Sequence, residues 1–209
     1  MLHAVERGTI PKPDVAASAL QALASHTDPN VKTRLANVWG AIRPSSAEKR
    51  AAIARWKSDL TADVLAKADR AHGRVLFDKT CAACHRLFDA GGNVGPELTG
   101  SQRANLDYVL TNVIDPSAIV GRDYQMSVFA TADGRVVSGI VRREDDRSIT
   151  VQTATDVVVI PTIEVESRRM TNDSMMPEGQ LNSLGRDDVR DLVAYLASPA
   201  QVPAPSVGR

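Results

Sequence analysis

The chain is short of several residue types, and each shortage narrows what it can be. Its 209 residues include two cysteines and 4% aromatic residues, so a framework of several disulfides is excluded and few large rings can fill a core. Acidic and basic residues, 25 of each, cancel to a formal net charge of zero, which favours neither nucleic acid nor an anionic membrane as a partner. No apolar run is long enough for a transmembrane segment.

Both cysteines lie in one pentapeptide, Cys81-Ala82-Ala83-Cys84-His85. Two thiols at positions i and i+3 can each add to one vinyl group of a haem, and the adjacent histidine then lies under the iron as its proximal ligand. The sequence therefore predicts one covalent haem c, tethered by Cys81 and Cys84 and ligated by His85. Its porphyrin would supply the apolar bulk that the scarce aromatic residues do not.

Two other kinds of site also use cysteine pairs at this spacing. A redox dithiol of the thioredoxin kind normally lies between a strand and a helix of a βαβ unit, and no such unit surrounds Cys81. A structural zinc site needs four ligands, and His72 is the one other candidate nearby. Covalent haem remains the favoured interpretation.

A covalent haem also has a consequence for location, because haem is joined to this motif outside the bacterial cytoplasm. Residues 1–10 include Glu6 and Arg7 and lack the apolar stretch of a secretory signal. We therefore expect a periplasmic or otherwise extracytoplasmic chain whose natural N-terminus, with its signal, precedes Met1.

Residues 1–67 have the pattern of a helical extension. Asp14 is placed to cap a helix that runs to Ala24, and Asp28-Pro29 is a typical start for a second helix. The run from Ser45 to Glu48 has capping-box spacing for a third. Residues 28–40 resemble the second helix of a HEAT-type repeat, although a plain helical extension is an equally good interpretation.

Residues 124–169 change to a period of two. Five predicted strands include a hairpin at Asp133-Gly134, a strong signal for a tight turn. The pattern resembles SH3-like small barrels and predicts an inserted antiparallel β-barrel or meander. Its predicted interior is apolar: Val128, Val137, Ile140, Ile149, Val151, Val159 and Ile160.

The helices around the pentapeptide resemble those of class I cytochromes c, whose first and last helices cross beside the haem. Gly73 would allow the close backbone approach, and Phe77 and Tyr195 would fill the contact. Gly95-Pro96-Glu97-Leu98 matches the Gly-Pro-x-Leu signature of these proteins. The resemblance implies that the Pro96 carbonyl accepts a hydrogen bond from His85 Nδ1 and that Leu98 packs against the porphyrin.

The sixth iron ligand is predicted from the position of the methionines. Met175 and Met176 lie in an irregular segment shortly before the last helix, where class I cytochromes present the axial thioether. Met176 is preferred because the following proline holds it extended, with Met175 as the alternative.

Several motifs, taken in order, resemble the haem-binding domain of planctomycete and verrucomicrobial type. The resemblance covers about residues 68–200, and its members often form the C-terminal part of large secreted proteins behind a dehydrogenase region and helical repeats. The matching segments follow one another along the chain: Gly73-Arg74, Phe77, Cys81–Arg86, Gly92–Leu98, Asp115–Ser117, Asp133–Arg135, Met176–Gly179 and Asp191–Leu196.

The sequence thus predicts a mainly α class I cytochrome c fold at residues 68–200, with a small β-barrel inserted at 124–169 and a flexible tail at 201–209. The expected function is one-electron transfer from a partner or fused dehydrogenase, rather than catalysis by the chain itself. The alternatives are a haem peroxidase or gas sensor, for which no distal His or Arg can be assigned, and an interaction module. For the latter, the insert offers two aromatic residues, Tyr124 and Phe129. The oligomeric state is not indicated.

Overall fold

The computed structural model of the protein describes residues 1–12, 15 and 17–205. The predicted helix cap at Asp14 and the last part of the predicted tail, residues 206–209, lie outside the described residues. No described helix is long and apolar enough to cross a membrane.

The first three helices pack on one another. These are α1 (Leu2–Glu6), α2 (Ala17–Ala24) and α3 (Pro29–Trp39). Asp28 caps α3 as predicted, its carboxylate accepting from the Asn30 amide at 2.8 Å, with Pro29 at the first helical position. They share an apolar cluster of residues: Val5, Val15, Leu20, Leu35, Val38 and Trp39.

Two further helices, α4 (Ala47–Asp59) and α5 (Ala62–Ala66), connect this cluster to the rest of the chain. Ser46 is the N-cap of α4, and its hydroxyl accepts from the Lys49 amide at 3.2 Å. The cap is one residue later than the predicted spacing from Ser45 to Glu48 implies. Leu60, Ile53 and Trp56 pack in the main core with the haem-motif helices, so α4 belongs physically to the same packed body as residues 68–200.

The main core is built on α6 (Arg70–Thr80), α7 (Leu106–Ile114) and α8 (Arg186–Leu196). Helices α6 and α8 cross at Gly73, where an added Cβ would lie 2.0 Å from the Asp191 carbonyl oxygen. The Phe77 and Tyr195 rings fill the crossing with their centroids 5.6 Å apart. The crossing predicted between the helix that leads into the cysteine pentapeptide and the last helix is therefore present, as α6 and α8.

Four very short strands fix the loops around this core. Strand β1 (Gly40–Ile42) pairs antiparallel with β4 (Ile119–Gly121), and β2 (Arg86–Leu87) pairs with β3 (Ala90–Gly91). The β1–β4 pair joins the N-terminal helices to the segment after α7. These strands of two or three residues are too short to give a periodic sequence signal.

The predicted five-stranded insert is present and antiparallel. Its strands are β5 (Met126–Thr131), β6 (Val136–Glu144), β7 (Ser148–Gln152), β8 (Val157–Pro161) and β9 (Val165–Met170), in the spatial order β8-β7-β6-β5-β9. The outer edges of β8 and β9 have no strand partner among the described residues, so the sheet is open. Of the two predicted forms of the insert, barrel or meander, the barrel is therefore wrong.

The predicted fold class, mainly α with the class I cytochrome c fold, is also wrong as stated. The structure is 39% helical and 21% strand, with a five-stranded antiparallel sheet as a major element. Packing explains the difference. The sheet has a hydrophobic core of its own around Phe129, Val151 and Ile160. It is therefore a second structural layer beside the helices and not a small addition to a helical fold.

Asp191 of α8 is buried, and its hydrogen bonds link α8 to the N-terminus of α6. Its side chain is 4% exposed and accepts from the Asp69 amide at 3.0 Å, His72 Nδ1 at 3.0 Å and Arg190 Nε at 2.8 Å. Burial acts to raise the pKa of Asp191, but the hydrogen bonds from Arg190, His72 and the Asp69 amide outweigh it, and the pKa lies below the ordinary value of 3.8.

Because this pKa is lowered in the folded chain, Asp191 stabilises the fold above about pH 4 and loses that contribution as the pH falls through its folded pKa. Asp191→Asn should therefore lower the free energy of unfolding at pH 7 by about 2 kcal/mol. In this variant the free energy of unfolding should also fall less between pH 7 and about pH 3 than it does in the wild type. Urea unfolding at pH 7 and at about pH 3 measures both effects. Asp187→Asn, at a side chain 85% exposed, is the control. An equal loss in both variants would contradict the assignment.

Candidate functional site

A large open cavity lies between α6, α7 and the loops that follow them, with an empty volume of about 1260 Å³ that includes open solvent. Most of its lining is apolar. The predicted site residues Cys81, Cys84, His85, Pro96, Leu98, Met175 and Met176 all lie on its wall. The structure therefore brings together predicted site residues that are up to 95 positions apart in the sequence, from Cys81 to Met176.

The cysteine pentapeptide continues α6 for one irregular turn. The Cys81 amide donates to the Phe77 carbonyl at 2.8 Å, and the His85 amide donates to the Cys81 carbonyl at 2.9 Å. Because this spacing repeats the helical period, Cys81, Cys84 and His85 are presented to the same cavity. All three are half-buried.

The His85 ring is held in a single orientation by its surroundings. Nδ1 lies 2.9 Å from the Pro96 carbonyl oxygen. A carbonyl can only accept, so Nδ1 carries the proton and Nε2 keeps its lone pair for a metal. Gly95 lies against the ring, since an added Cβ would come within 2.6 Å of Cε1. Leu98 is fixed by its amide, which donates to the Arg86 carbonyl at 2.8 Å.

The thiol chemistry of Cys81 does not favour a redox dithiol. Burial raises the pKa of Cys81, with the nearby Cys84 adding to the rise and a contact with the Thr80 hydroxyl opposing it. Reactive dithiols have a lowered thiol pKa. Among the residues that the structure describes, no group of three or more His, Cys, Asp or Glu side chains is placed to hold a metal ion. His72 instead contacts Asp191.

Both candidate methionines lie in the loop of residues 171–185 that joins β9 to α8, here named the methionine loop. The Ser174 amide donates to Ser117 Oγ at 3.0 Å, and the Met176 amide donates to Ser174 Oγ at 3.1 Å. These bonds attach the loop to the turn after α7. Met175 and Met176 are both half-buried and both line the cavity, so the structure does not choose between them.

The sheet supplies part of the cavity wall. Ile140 of β6 and Tyr124, in the turn before β5, line the cavity. Arg142 lies over the Tyr124 ring at 5.9 Å and donates to the carbonyls of Asn93 and Val94, at 3.0 and 2.6 Å. The insert thus contacts the loop that carries Gly95 and Pro96. Phe129, offered as a possible binding aromatic, is fully buried inside the sheet.

Several polar lining residues were not predicted from the sequence. Arg103, Tyr108 and Asn112 line the cavity. Arg103 is held by the carbonyls of Thr99, Leu196 and Ser198. Tyr108 and Asn112 are four residues apart on α7, the spacing of one helix face, which is the one signal that could have found them.

The cavity fits the haem that the pentapeptide predicts. Its wall is mainly apolar, as a porphyrin requires, and it is open to solvent. Two thiols and an oriented imidazole with a free Nε2 lie on its wall. The backbone at Gly95 can lie against the His85 ring because position 95 carries no side chain.

Comparison with known proteins agrees with this donor set. Residues 68–133 match the family model described as Cytochrome C oxidase, cbb3-type, subunit III. The matched region includes the pentapeptide, Pro96 and α7, and stops before the methionine loop. The match supports a c-type cytochrome domain, with haem binding and haem-based electron transfer in general. No curated protein matches the chain.

Proposed function

We propose that the chain transfers single electrons through one haem c, which Cys81 and Cys84 would bond covalently and which His85 and Met176, with Met175 as the alternative, would ligate. One observation carries the proposal. The two thiols, the oriented imidazole and both methionines line one mainly apolar cavity. When bound, the haem supplies a metal centre that cycles between ferric and ferrous states.

The residues of the chain have distinct tasks at this centre. The thiols of Cys81 and Cys84 fix the ring covalently, so its position does not depend on affinity. The Pro96 carbonyl holds the proton on His85 Nδ1 and keeps the ring from turning. Leu98, Val109 and Ile140 exclude water from the cavity wall, and a thioether ligand raises the reduction potential. A raised potential suits an acceptor of electrons from a dehydrogenase.

The same proposal covers the place of this domain in the chain and in the cell. Residues 68–200 would form the haem-carrying unit, with 124–169 inserted, in the manner of the planctomycete-type domain that the ordered motifs resemble. Residues 1–67 would be the end of a HEAT-like helical region, and residues 201–209 a tail. The domain would work in the periplasm or otherwise outside the cytoplasm, with a redox partner or a fused dehydrogenase as the electron donor.

The test of this function is a redox titration of the haem-loaded chain, matured in a bacterial periplasm. We expect a reversible one-electron couple, a six-coordinate low-spin spectrum in both states and a sulfur-to-iron charge-transfer band in the far red. Peroxide turnover no faster than that of free haem should accompany it. A five-coordinate iron that binds cyanide at once and consumes peroxide would instead establish the peroxidase or sensor alternative.

A further inference from the structure

An ionic cluster of four residues joins the N-terminal helices to the methionine loop. It consists of Arg43, Lys49, Asp115 and Glu178. Arg43 and Lys49 donate to Asp115 Oδ1 at 3.0 and 2.8 Å. Lys49 also donates to Glu178 Oε1, and Arg43 lies 3.8 Å from the same oxygen. The two cations therefore bridge a carboxylate after α7 and a carboxylate in the methionine loop.

The cluster is anchored by a buried charge. The Asp115 side chain is 0% exposed, and its Oδ2 has no hydrogen-bond partner among the described residues. Its negative charge thus depends on Arg43 and Lys49, because a buried carboxylate without a cation is costly. Burial acts to lower the pKa of Lys49, but hydrogen bonds to Asp115 and Glu178 outweigh it, and the pKa lies above the ordinary value. Lys49 is fully charged at neutral pH.

The cluster lies where it can control ligand placement. Glu178 is two residues after Met176, and Asp115 directly precedes Pro116, which lines the cavity. Arg43 follows β1, and its amide donates to the Ala118 carbonyl at 2.9 Å. Strand β1 pairs with β4, another part of the cavity wall. One short segment, residues 40–49, thus contacts both the cavity wall and the loop that carries the methionines.

We infer that this ionic cluster is a positioning device, through which a segment before the haem motif holds the methionine loop against the cavity and so sets the strength of methionine ligation. The inference rests on the proposed haem site and assigns residues 40–49 a part in tuning it. Lys49 and Arg43 are positioning residues, since they act on the iron ligand through Glu178 and the loop backbone.

The test replaces Lys49 by methionine in the haem-loaded chain, with Lys57→Met as the matched control. Lys57 lies on the same helix and pairs with Asp107 of α7 at 2.7 Å, away from the methionine loop. Lys49→Met should raise the affinity of ferric haem for imidazole, which competes with the methionine, by about tenfold, the equivalent of one hydrogen bond to a charged group. It should also speed amide hydrogen exchange in residues 171–180 and weaken the charge-transfer band. Lys57→Met should change none of these.

Glu178→Gln tests the ionic cluster from its member in the methionine loop and leaves the contacts of Arg43 and Lys49 with Asp115 in place. The Glu178 side chain is 53% exposed, so the fold should tolerate the change even if Lys49→Met does not express. Faster exchange in residues 171–180 is expected here too. The double variant should exchange only slightly faster than Lys49→Met, because the Lys49–Glu178 link is already lost there and only the 3.8 Å contact of Arg43 with Glu178 remains to be removed. Unchanged exchange in both single variants, or equal effects in Lys57→Met, would overturn the inference. A wild-type spectrum without thioether ligation would refute the axial methionine of the proposed function, and with it the effect of the cluster on ligation. The exchange measurement would then still decide whether the cluster holds the methionine loop in place.

Discussion

Gly73→Ala is expected to destabilise the chain by about 3 kcal/mol and to reduce haem incorporation sharply. The added Cβ would lie 2.0 Å from the Asp191 carbonyl oxygen and 2.8 Å from Tyr195 Cβ. A backbone carbonyl cannot turn aside as a flexible side chain can, so α6 and α8 must separate. The separation would pull the Phe77 and Tyr195 rings apart and expose the core beneath the cysteine pentapeptide.

Urea unfolding and the ratio of haem to protein measure this result. Alanine is favoured over glycine in a helix by about 1 kcal/mol, so any observed loss understates the cost of the collision. Gly100→Ala is the control, because a Cβ at Gly100 would meet nothing within 4 Å. If Gly73→Ala is as stable as the wild type, α6 and α8 lie further apart at Gly73 than described above, and the assigned contact is wrong.

Met176→Ala is expected to remove the sixth iron ligand. The far-red charge-transfer band should disappear, the reduction potential should fall, and the affinity for imidazole should rise by at least about tenfold, since each tenfold corresponds to 1.4 kcal/mol of lost competition. Met175→Ala, at the neighbouring position on the same cavity wall, should do much less. Reversed effects would assign the ligand to Met175. If neither substitution changes the spectrum, neither methionine ligates the iron.

Local signals in the sequence predicted local structure well. Asp28 caps α3 as predicted, and Ser46 caps α4 one residue after the predicted position, because their side chains accept from amides at the helix start. The Asp133-Gly134 turn forms because glycine adopts the left-handed backbone there, with φ of +82°. The haem site could be predicted because both thiols and the histidine that would hold the haem lie within five consecutive residues. Each of these features depends on neighbours along the chain.

Features that depend on distant contacts were missed. The β1–β4 pair joins residues about 80 positions apart and leaves no periodic trace. The interior face of the sheet was assigned partly wrongly: Val159 is 59% exposed, whereas Phe129 is fully buried. The open sheet edges and the ionic cluster depend likewise on how the layers pack, which composition and spacing do not reveal.

Peptide mass analysis shows directly whether Cys81 and Cys84 bond one haem within this cavity. Protein matured in a periplasm is denatured in acid, extracted with organic solvent and cut with trypsin after Lys79 and Arg86. We expect one haem to stay on the chain and to be found on the peptide Thr80–Arg86. Haem that leaves with the solvent, or a peptide with two free thiols, would contradict it.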